Sequence, residues 1–133
     1  MDIAIACWHY ENQQCYLSFA AAKRPLFYLK DGELMKVAGS RRNIGGTVDS
    51  MKPFETLKIT LPKNTAIYLC SDGYADQNDR ERKNFSEKRL ITLLHENQKL
   101  PMEQQKEILK TQLREHMENT EQRDDILVIG VRL

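Results

Sequence analysis

Carboxylates border two of the most apolar stretches of the chain, at places far apart in the sequence. Asp72 lies just after the apolar run 65–70, and Asp124 and Asp125 lie directly before the run 126–131. If the two runs are neighbouring antiparallel strands, the end of one lies beside the start of the other, and Asp72 meets Asp124 at one rim of the sheet. Neighbouring carboxylates repel each other unless a cation neutralises them. Because oxygen ligands suit hard divalent ions, the pattern predicts a Mg²⁺ or Mn²⁺ site.

The same acids also have a purely structural interpretation. An Asp-Gly pair after a strand is a common turn, and an aspartate before a strand is a common cap. Gly73 lets the chain turn sharply beside Asp72, and Asp76 lies one turn further on, where it caps or supports that turn. The spacing alone leaves both interpretations open.

Other residues with reactive side chains give weaker signals. The three histidines, His9, His95 and His116, have no ligand spacing and are interpreted as ordinary surface or half-buried residues. Cys70 has no base near it in sequence, so we interpret it as a packed strand residue rather than a nucleophile.

Four basic side chains fall in predicted loops. They are Lys23, Arg24, Arg41 and Arg42. Guanidinium and ammonium groups bind phosphate well, so these residues are candidate contacts for a phosphoprotein, and a solvated loop surface is the alternative interpretation.

Positioning the acids requires strands, and the first seventy residues predict six of them. The segments are 2–10, 15–21, 25–29, 33–37, 56–61 and 65–70. The pair Asp31-Gly32 is the strongest hairpin signal, and residues 38–54 are predicted to be a loop. Connections of two to four residues cannot cross over to a parallel neighbour, so the strands form an antiparallel meander.

The later part of the chain predicts two helices and a returning strand. Residues 77–83 are predicted to be a surface loop, and Asn84 caps a helix with Glu87 at its third position. Pro101 suits the first turn of a second helix. The apolar residues of that helix, predicted to pack in the core, are Met102, Leu109, Leu113 and Met117.

The fold class follows from this order of elements. The final run 126–131 predicts a strand that is buried on both faces or central in its sheet. Strands first, then two helices and one returning strand indicate an α+β fold, with antiparallel meander sheets and two helices packed on one face.

Size and composition limit the class of protein. The 133 residues fit a single domain, and 41% hydrophobic with 29% charged residues argue against disorder. A net charge of +1 gives no reason to expect nucleic acid or an anionic membrane as a partner. No apolar stretch approaches the roughly 20 residues of a membrane span, and the N-terminus lacks a basic signal-peptide region. Three cysteines without close spacing indicate reduced thiols, and hence the cytoplasm.

The motifs around the acids resemble those of a known family. The segments TAIYLCSDGYADQND, FSEKRL and RDDILVIGVRL are similar to the C-terminal half of the metal-dependent Ser/Thr protein phosphatases of the PPM class, in the SpoIIE-like bacterial branch. Residues 1–34 resemble the central hairpins of the family, and NIGG resembles the short Ile-Gly loop that follows them. The resemblance covers essentially the whole chain and implies part of an αββα sandwich.

The resemblance implies a phosphatase mechanism and a set of roles. In the family, two Mg²⁺ or Mn²⁺ ions hold a water or hydroxide that attacks a phosphoserine or phosphothreonine. Asp72 and Asp124 match aspartates that bind the same one of these ions, and Gly73, Asp76 and Asp125 match supporting positions. The implied partner is a phosphorylated regulatory protein in bacterial signalling.

The sequence also departs from the family pattern. Two family motifs, an Asp-Tyr-type strand segment and an Asp-x-x-Gly-His-Gly turn, have no counterpart in residues 1–133. Ala21 stands where the family usually has glycine, and Lys23 and Arg24 stand where it has small polar residues. We therefore expect the chain alone to bind at most one metal ion, weakly, and to be incomplete for catalysis.

Two further interpretations compete with the phosphatase. A receiver domain also uses acids around Mg²⁺, but its acidic pair comes early and its strands are parallel, so it is rejected. A non-catalytic regulatory or interaction module derived from a phosphatase remains open. Such a part-domain exposes a sheet face and edge, which predicts a homodimer.

Overall fold

The computed structural model describes residues 1–45 and 53–133, so residues 46–52 of the predicted 38–54 loop, including Gly46, lie outside the described residues. The chain divides into two compact units, one formed by residues 1–69 with 132–133 and the other by residues 70–131. The strands are β1 (Ile3–Glu11), β2 (Gln14–Ala22), β3 (Leu26–Lys30), β4 (Glu33–Val37), β5 (Leu57–Pro62), β6 (Ala66–Cys70) and β7 (Val128–Arg132). The helices are α1 (Gly73–Asp76), α2 (Glu87–Glu96) and α3 (Met102–Met117).

The antiparallel α+β fold predicted from the sequence is confirmed. One sheet has three strands in the order β1-β2-β5, and the other has four in the order β4-β3-β6-β7. The strands do not form one simple meander, because β5 pairs with β2 and β6 pairs with β3. Three-residue connections join β2 to β3 and β5 to β6, yet the two strands of each pair belong to different sheets, so a short connection does not by itself fix the pairing.

The core of the first unit is built by strict alternation along β2. Cys15, Leu17, Phe19 and Ala21 are buried, while the residues between them are partly exposed. In the β2–β5 register Cys15 lies opposite Leu61, which is also buried. The period of two places these side chains on one face of the sheet.

The β3–β4 hairpin confirms the predicted turn. Lys30 and Glu33 close it, and both Asp31 (φ 52°) and Gly32 (φ 84°) have left-handed backbone conformations. Two left-handed central residues define the type I′ turn, whose twist matches the flanking strands.

The predicted burial of the last strand is wrong. The strand β7 begins at Val128, two residues later than predicted, and it is the last strand in the order of its sheet. Leu127 is 55% exposed and Ile129 is 44% exposed. An apolar run shows what a strand is able to bury, but whether neighbours cover it depends on tertiary structure.

The helices of the second unit differ from the prediction at their ends. Ser86, not Asn84, caps α2, and its hydroxyl accepts a hydrogen bond from the amide of Arg89. Asn84 instead forms an isolated β-bridge with Asn78. The four-residue helix α1 stands where the sequence predicted only a turn.

The apolar residues of α3 are half-buried rather than part of a closed core. Met102, Leu109, Leu113 and Met117 are all partly exposed, and the buried residue of this helix is Gln105, whose amide donates to the carbonyl of Leu100. Aromatic packing lies elsewhere in the unit, where Tyr74 and Phe85 meet edge to face with ring centroids 4.9 Å apart. Helical spacing therefore predicted the helix correctly but overstated its burial.

Among the described residues, none of the helices combines the length and apolar character needed to cross a membrane.

We expect the protein to lose stability in alkali because two buried groups, the Cys70 thiol and the Tyr74 hydroxyl, have raised pKa values. Burial, with a smaller effect from the Glu87 charge, raises the pKa of Cys70 from its usual 9.0 to about 12, and burial also raises the pKa of Tyr74. The folded state holds these protons more tightly than the unfolded chain does. The stabilisation is therefore complete below pH 9 and is lost as the pH rises through 9 towards 12.

The measurement is urea unfolding followed by circular dichroism across this pH range. Cys70→Ala removes the titrating thiol, so the fall in unfolding free energy with pH should be shallower than in the wild type. An equally steep fall in both proteins would contradict the assignment.

Candidate metal centre

Asp72 lies at the start of α1, immediately beyond β6. It occupies the N-cap position, and its carbonyl accepts a hydrogen bond from the amide of Asp76 at 2.9 Å. Its carboxylate makes no capping hydrogen bond to the helix, and the residue is exposed. The Asp72 carboxylate therefore does not stabilise α1 by capping it.

Ser71 ties this rim to the segment that follows Asp124. Its amide donates to the carbonyl of Leu127 at 2.9 Å. Its hydroxyl donates to the carbonyl of Asp125 and accepts from the amide of Leu127, both at 2.9 Å. Three hydrogen bonds thus fix the residue before Asp72 against the residues just after Asp124.

Gly73 allows the same two segments to touch. A Cβ at this position would overlap the carbonyl oxygen of Asp125 and lie 3.0 Å from its carbonyl carbon and 3.2 Å from Cγ1 of Ile126. Gly73 is buried and helical, so the sharp turn predicted for it is not its main role. It is needed because any side chain would push the two acidic segments apart.

Asp124 is held in an exposed bend. Its Oδ1 accepts a hydrogen bond from the amide of Asp125 at 2.7 Å, and its carbonyl accepts one from Nε2 of Gln122 at 2.8 Å. Both acids of the pair are exposed. An exposed carboxylate retains free lone pairs for a cation.

Gln77 anchors the segment that leads to Asp124. It is 1% exposed, so the prediction of a surface loop over residues 77–83 is wrong at its first residue. Its Nε2 donates to the carbonyls of Asn78 (3.2 Å) and Glu121 (3.1 Å), and its Oε1 accepts from the amide of Arg123 (3.2 Å). A buried amide is tolerated here because both of its ends are satisfied.

The carboxylates near this contact are the type of ligand that a hard cation prefers, but there are too few of them to fill its coordination shell. The two segments that meet here carry Asp72 and Asp124, whose oxygens suit Mg²⁺ or Mn²⁺. No cluster of three or more His, Cys, Asp or Glu residues suited to a metal occurs in residues 1–45 and 53–133. Two carboxylates leave most of an octahedral shell to water, which favours weak binding of one ion.

Comparison with sequence models of protein families shows the family to which this chain belongs. The sequence model described as "Stage II sporulation protein E (SpoIIE)" matches residues 1–133. The chain belongs to the SpoIIE family. A search of curated proteins finds no match.

Solved structures similar to this SpoIIE-family chain are phosphatase domains. The SiaA-PP2C domain of Pseudomonas aeruginosa is 29% identical with a TM-score of 0.78, and the match covers 89% of this chain and 46% of that one. The phosphatase domain of the cell fate determinant SpoIIE from Bacillus subtilis, in a Mn-presoaked form, is 13% identical with a TM-score of 0.67, covering 99% and 56%. The chain thus spans about half the length of the solved domains it matches.

The four basic candidates of the SpoIIE-family chain differ in their surroundings. They are Lys23, Arg24, Arg41 and Arg42. The Arg24 guanidinium forms a part-buried ion pair with Asp2 at 2.8 Å, and that of Arg42 donates to the carbonyl of Pro53 at 2.9 Å. Lys23 and Arg41 are exposed. A phosphoprotein contact by these residues stays a prediction.

Sequence reasoning gave no role to Ser71 or Gln77 in this SpoIIE-family chain. Ser71 carried a usable signal, since a hydroxyl between a buried strand and an acid is well placed to bond the neighbouring strand. Gln77 carried none, because it lies in a polar stretch and its burial depends on the loop at residues 120–123.

Removing the Gln77 side chain should destabilise the second unit. Gln77→Ala removes the hydrogen bonds that its buried amide makes with the carbonyl of Glu121 and the amide of Arg123, which should cost about 1–3 kcal/mol of unfolding free energy. Urea unfolding monitored by circular dichroism measures the loss, and Gln104→Ala, at an exposed glutamine of α3, is the matched control. Equal effects from both substitutions would contradict the anchoring role.

Proposed function

We propose that this chain contributes half of the metal centre of a metal-dependent protein serine/threonine phosphatase. Asp72 and Asp124 would hold one Mn²⁺ or Mg²⁺ ion. The observation that carries the proposal is the contact of Ser71 and Gly73 with the backbone of Asp125, because it joins the two segments in which the acids lie. Membership of the SpoIIE family and similarity to PP2C domains support it.

Some residues of the chain bind the ion, and others position the residues that bind it. A bound divalent ion supplies an activated water and neutralises charge on the phosphoryl oxygens. Asp72 and Asp124 bind the ion, while Ser71 and Gly73 set the separation of their backbones. Gln77 fixes the approach to Asp124 through the amide of Arg123. These residues prepare a site but do not complete one.

The proposed substrate is phosphoserine or phosphothreonine on a regulatory protein in bacterial signalling, and the proposed location is the cytoplasm. Lys23 and Arg41 are exposed cations able to attract such a phosphoprotein. Because two carboxylates bind an ion weakly, the chain alone is proposed to be inactive. Activity requires the carboxylates of the two remaining family motifs.

The second candidate function is a non-catalytic regulatory or interaction module derived from such a phosphatase. The exposed large apolar residues favour it, among them Ile5, Trp8, Tyr10 and Ile129. Trp8 and Tyr10, two residues apart on β1, share one face of the sheet, and contiguous exposed apolar surface marks interaction sites. The two candidates differ in whether the Asp72–Asp124 rim serves a reaction.

Hydrolysis of p-nitrophenyl phosphate and of a phosphoserine peptide in Mn²⁺ tests the proposal. The chain alone should show no turnover above the metal blank. Adding a phosphatase-domain segment that carries the two remaining motifs should produce turnover that is lost with chelator. Asp72→Asn or Asp124→Asn should lower that turnover at least about tenfold, whereas Asp31→Asn, at an exposed hairpin tip, should not.

Two outcomes would contradict the phosphatase proposal. One is turnover that survives both substitutions at the rim. The other is absence of turnover in the combined sample, which favours the non-catalytic module.

A further inference from the structure

His116 contacts other parts of the second unit through both of its ring nitrogens. The residue lies in the last turn of α3 and is half-buried. Its Nε2 lies 3.1 Å from the main-chain carbonyl oxygen of Gln77, and its Nδ1 lies 3.3 Å from Nη1 of Arg89. The same carbonyl accepts a hydrogen bond from the amide of Phe85 at 2.8 Å. Both polar atoms of the imidazole ring therefore have a partner.

The chemistry of these partners decides which ring nitrogen carries the proton. A carbonyl oxygen only accepts hydrogen bonds, and a guanidinium group only donates them. Nε2 of His116 must therefore donate to Gln77, and Nδ1 must accept from Arg89. The neutral ring protonated at Nε2 satisfies both contacts. The other neutral tautomer satisfies neither, and a doubly protonated ring would direct its second N–H group at a cation.

Arg89 is itself held in place, so Nδ1 of His116 faces a positioned donor. The Arg89 guanidinium lies 4.2 Å from the centroid of the Phe85 ring, and its Nη2 donates to Oε1 of Gln112 at 3.4 Å. The Phe85 ring also meets the imidazole ring edge to face, with centroids 5.2 Å apart. These contacts define the plane of the imidazole as well as its protonation.

The contact between His116 and Gln77 belongs to a series of hydrogen bonds that joins residues 77–80 to residues 116–123, the segment that leads to Asp124. The other bonds of the series link Arg80 with Glu118 (2.8 Å), Asn78 with Thr120 (3.0 Å), and the Gln77 side chain with Glu121 (3.1 Å) and Arg123 (3.2 Å). Gln77 thus bonds the end of α3 through its main chain and the approach to Asp124 through its side chain.

We propose that His116 is a positioning residue for Asp124, held as the neutral tautomer protonated at Nε2. It fixes the main chain of Gln77 against the end of α3, and the Gln77 side chain holds the amide of Arg123, directly before Asp124. The consequence for metal binding rests on the proposed function, whereas the tautomer and the hold on Arg123 do not depend on it.

The tautomer is tested by ¹⁵N NMR of the uniformly labelled chain. Long-range correlation spectra distinguish a protonated ring nitrogen from an unprotonated one, and His116→Gln identifies which signals belong to this one of the three histidines. In mildly alkaline buffer the ring should show a protonated Nε2 and an unprotonated Nδ1. A ring protonated at Nδ1, or one that exchanges rapidly between the two tautomers, would overturn the assignment.

The hold on Arg123 is tested by amide hydrogen exchange. His116→Ala should speed exchange of the Arg123 amide about tenfold, the factor that an average hydrogen bond contributes, and should change the amide of Leu94, buried in α2, much less. His116→Gln offers an N–H group in place of Nε2–H and should restore most of the protection. Thr111→Ala, at an exposed position of α3, is the matched control. Equal acceleration at Arg123 and Leu94, or no restoration by glutamine, would overturn the positioning role.

Mn²⁺ titration of the same variants connects the positioning role to the site. His116→Ala should weaken Mn²⁺ binding about tenfold, as loss of an outer partner of a metal ligand does, and His116→Gln should bind nearly as the wild type does. Wild-type affinity in His116→Ala would overturn the positioning of Asp124 while the metal site itself stands. A wild type that binds no Mn²⁺ would instead contradict the proposed function, and the exchange of the Arg123 amide would still decide the role of His116.

Discussion

Gly73→Ala is expected to lower the free energy of unfolding by about 1–3 kcal/mol, as overpacking of a close contact does. The new methyl group would overlap the carbonyl oxygen of Asp125, and it would lie 3.0 Å from the carbonyl carbon. Both neighbours are backbone atoms, which cannot rotate away as a flexible side chain would. The two acidic segments must therefore separate. Urea unfolding followed by circular dichroism measures the cost.

Gly32→Ala provides a control with a different cause. Gly32 has nothing within 4 Å of the added Cβ, but its φ of 84° disfavours any side chain. This variant should lose stability through backbone strain and keep its Mn²⁺ binding, whereas Gly73→Ala should lose both. If Gly73→Ala binds Mn²⁺ as the wild type does, the close approach of the segments has no role in the site.

Phe85→Ala is expected to cost about 3–5 kcal/mol of unfolding free energy, the usual range for a buried aromatic residue. Phe85 is 2% exposed, and its ring contacts Tyr74 at 4.9 Å and His116 at 5.2 Å between centroids. The Arg89 guanidinium lies 4.2 Å from the centroid of the Phe85 ring. Removing the ring of Phe85 leaves a cavity that the three surrounding helices cannot fully close.

Urea unfolding together with amide hydrogen exchange in α2 measures this effect. Phe85→Leu retains much of the volume and should cost clearly less than Phe85→Ala. Equal costs for the two variants would show that ring volume at this position does not stabilise the unit.

The local elements of the fold could be predicted from the sequence because each has a local cause. Alternation along residues 15–21 identified β2, and the left-handed preference of Asp31-Gly32 identified the β3–β4 turn. Helical spacing identified α2 and α3. The family, likewise, could be recognised from the acidic motifs, and the match to residues 1–133 confirms it.

Features that depend on distant neighbours could not be predicted in the same way. The pairing of β5 with β2 and the exposure of β7 depend on tertiary contacts. The pattern of apolar residues in the sequence does not show which contacts these are. Gln77 is polar and buried because the Thr120 hydroxyl and the Glu121 carbonyl, both more than forty residues away, accept hydrogen bonds from its amide. The cap of α2 was predicted two residues too early, at Asn84 instead of Ser86, because both residue types are good helix caps.

The candidate site shows the same division. The sequence predicted that the segments of Asp72 and Asp124 meet, and the hydrogen bonds of Ser71 confirm contact between the flanking backbones. The binding of one cation by both carboxylates stays a prediction, because hydrogen bonds between the flanking backbones do not show that an ion is bound.

Titration of the chain with Mn²⁺, followed by the electron paramagnetic resonance signal of the free ion, tests this sharing most directly. The wild type should bind one ion with a dissociation constant on the order of a millimolar, as expected for few charged ligands. Asp72→Asn and Asp124→Asn should each remove this binding, while Asp31→Asn should preserve it. Wild-type protein that leaves the free-ion signal unchanged, or binding that survives either rim substitution, would contradict the shared cation.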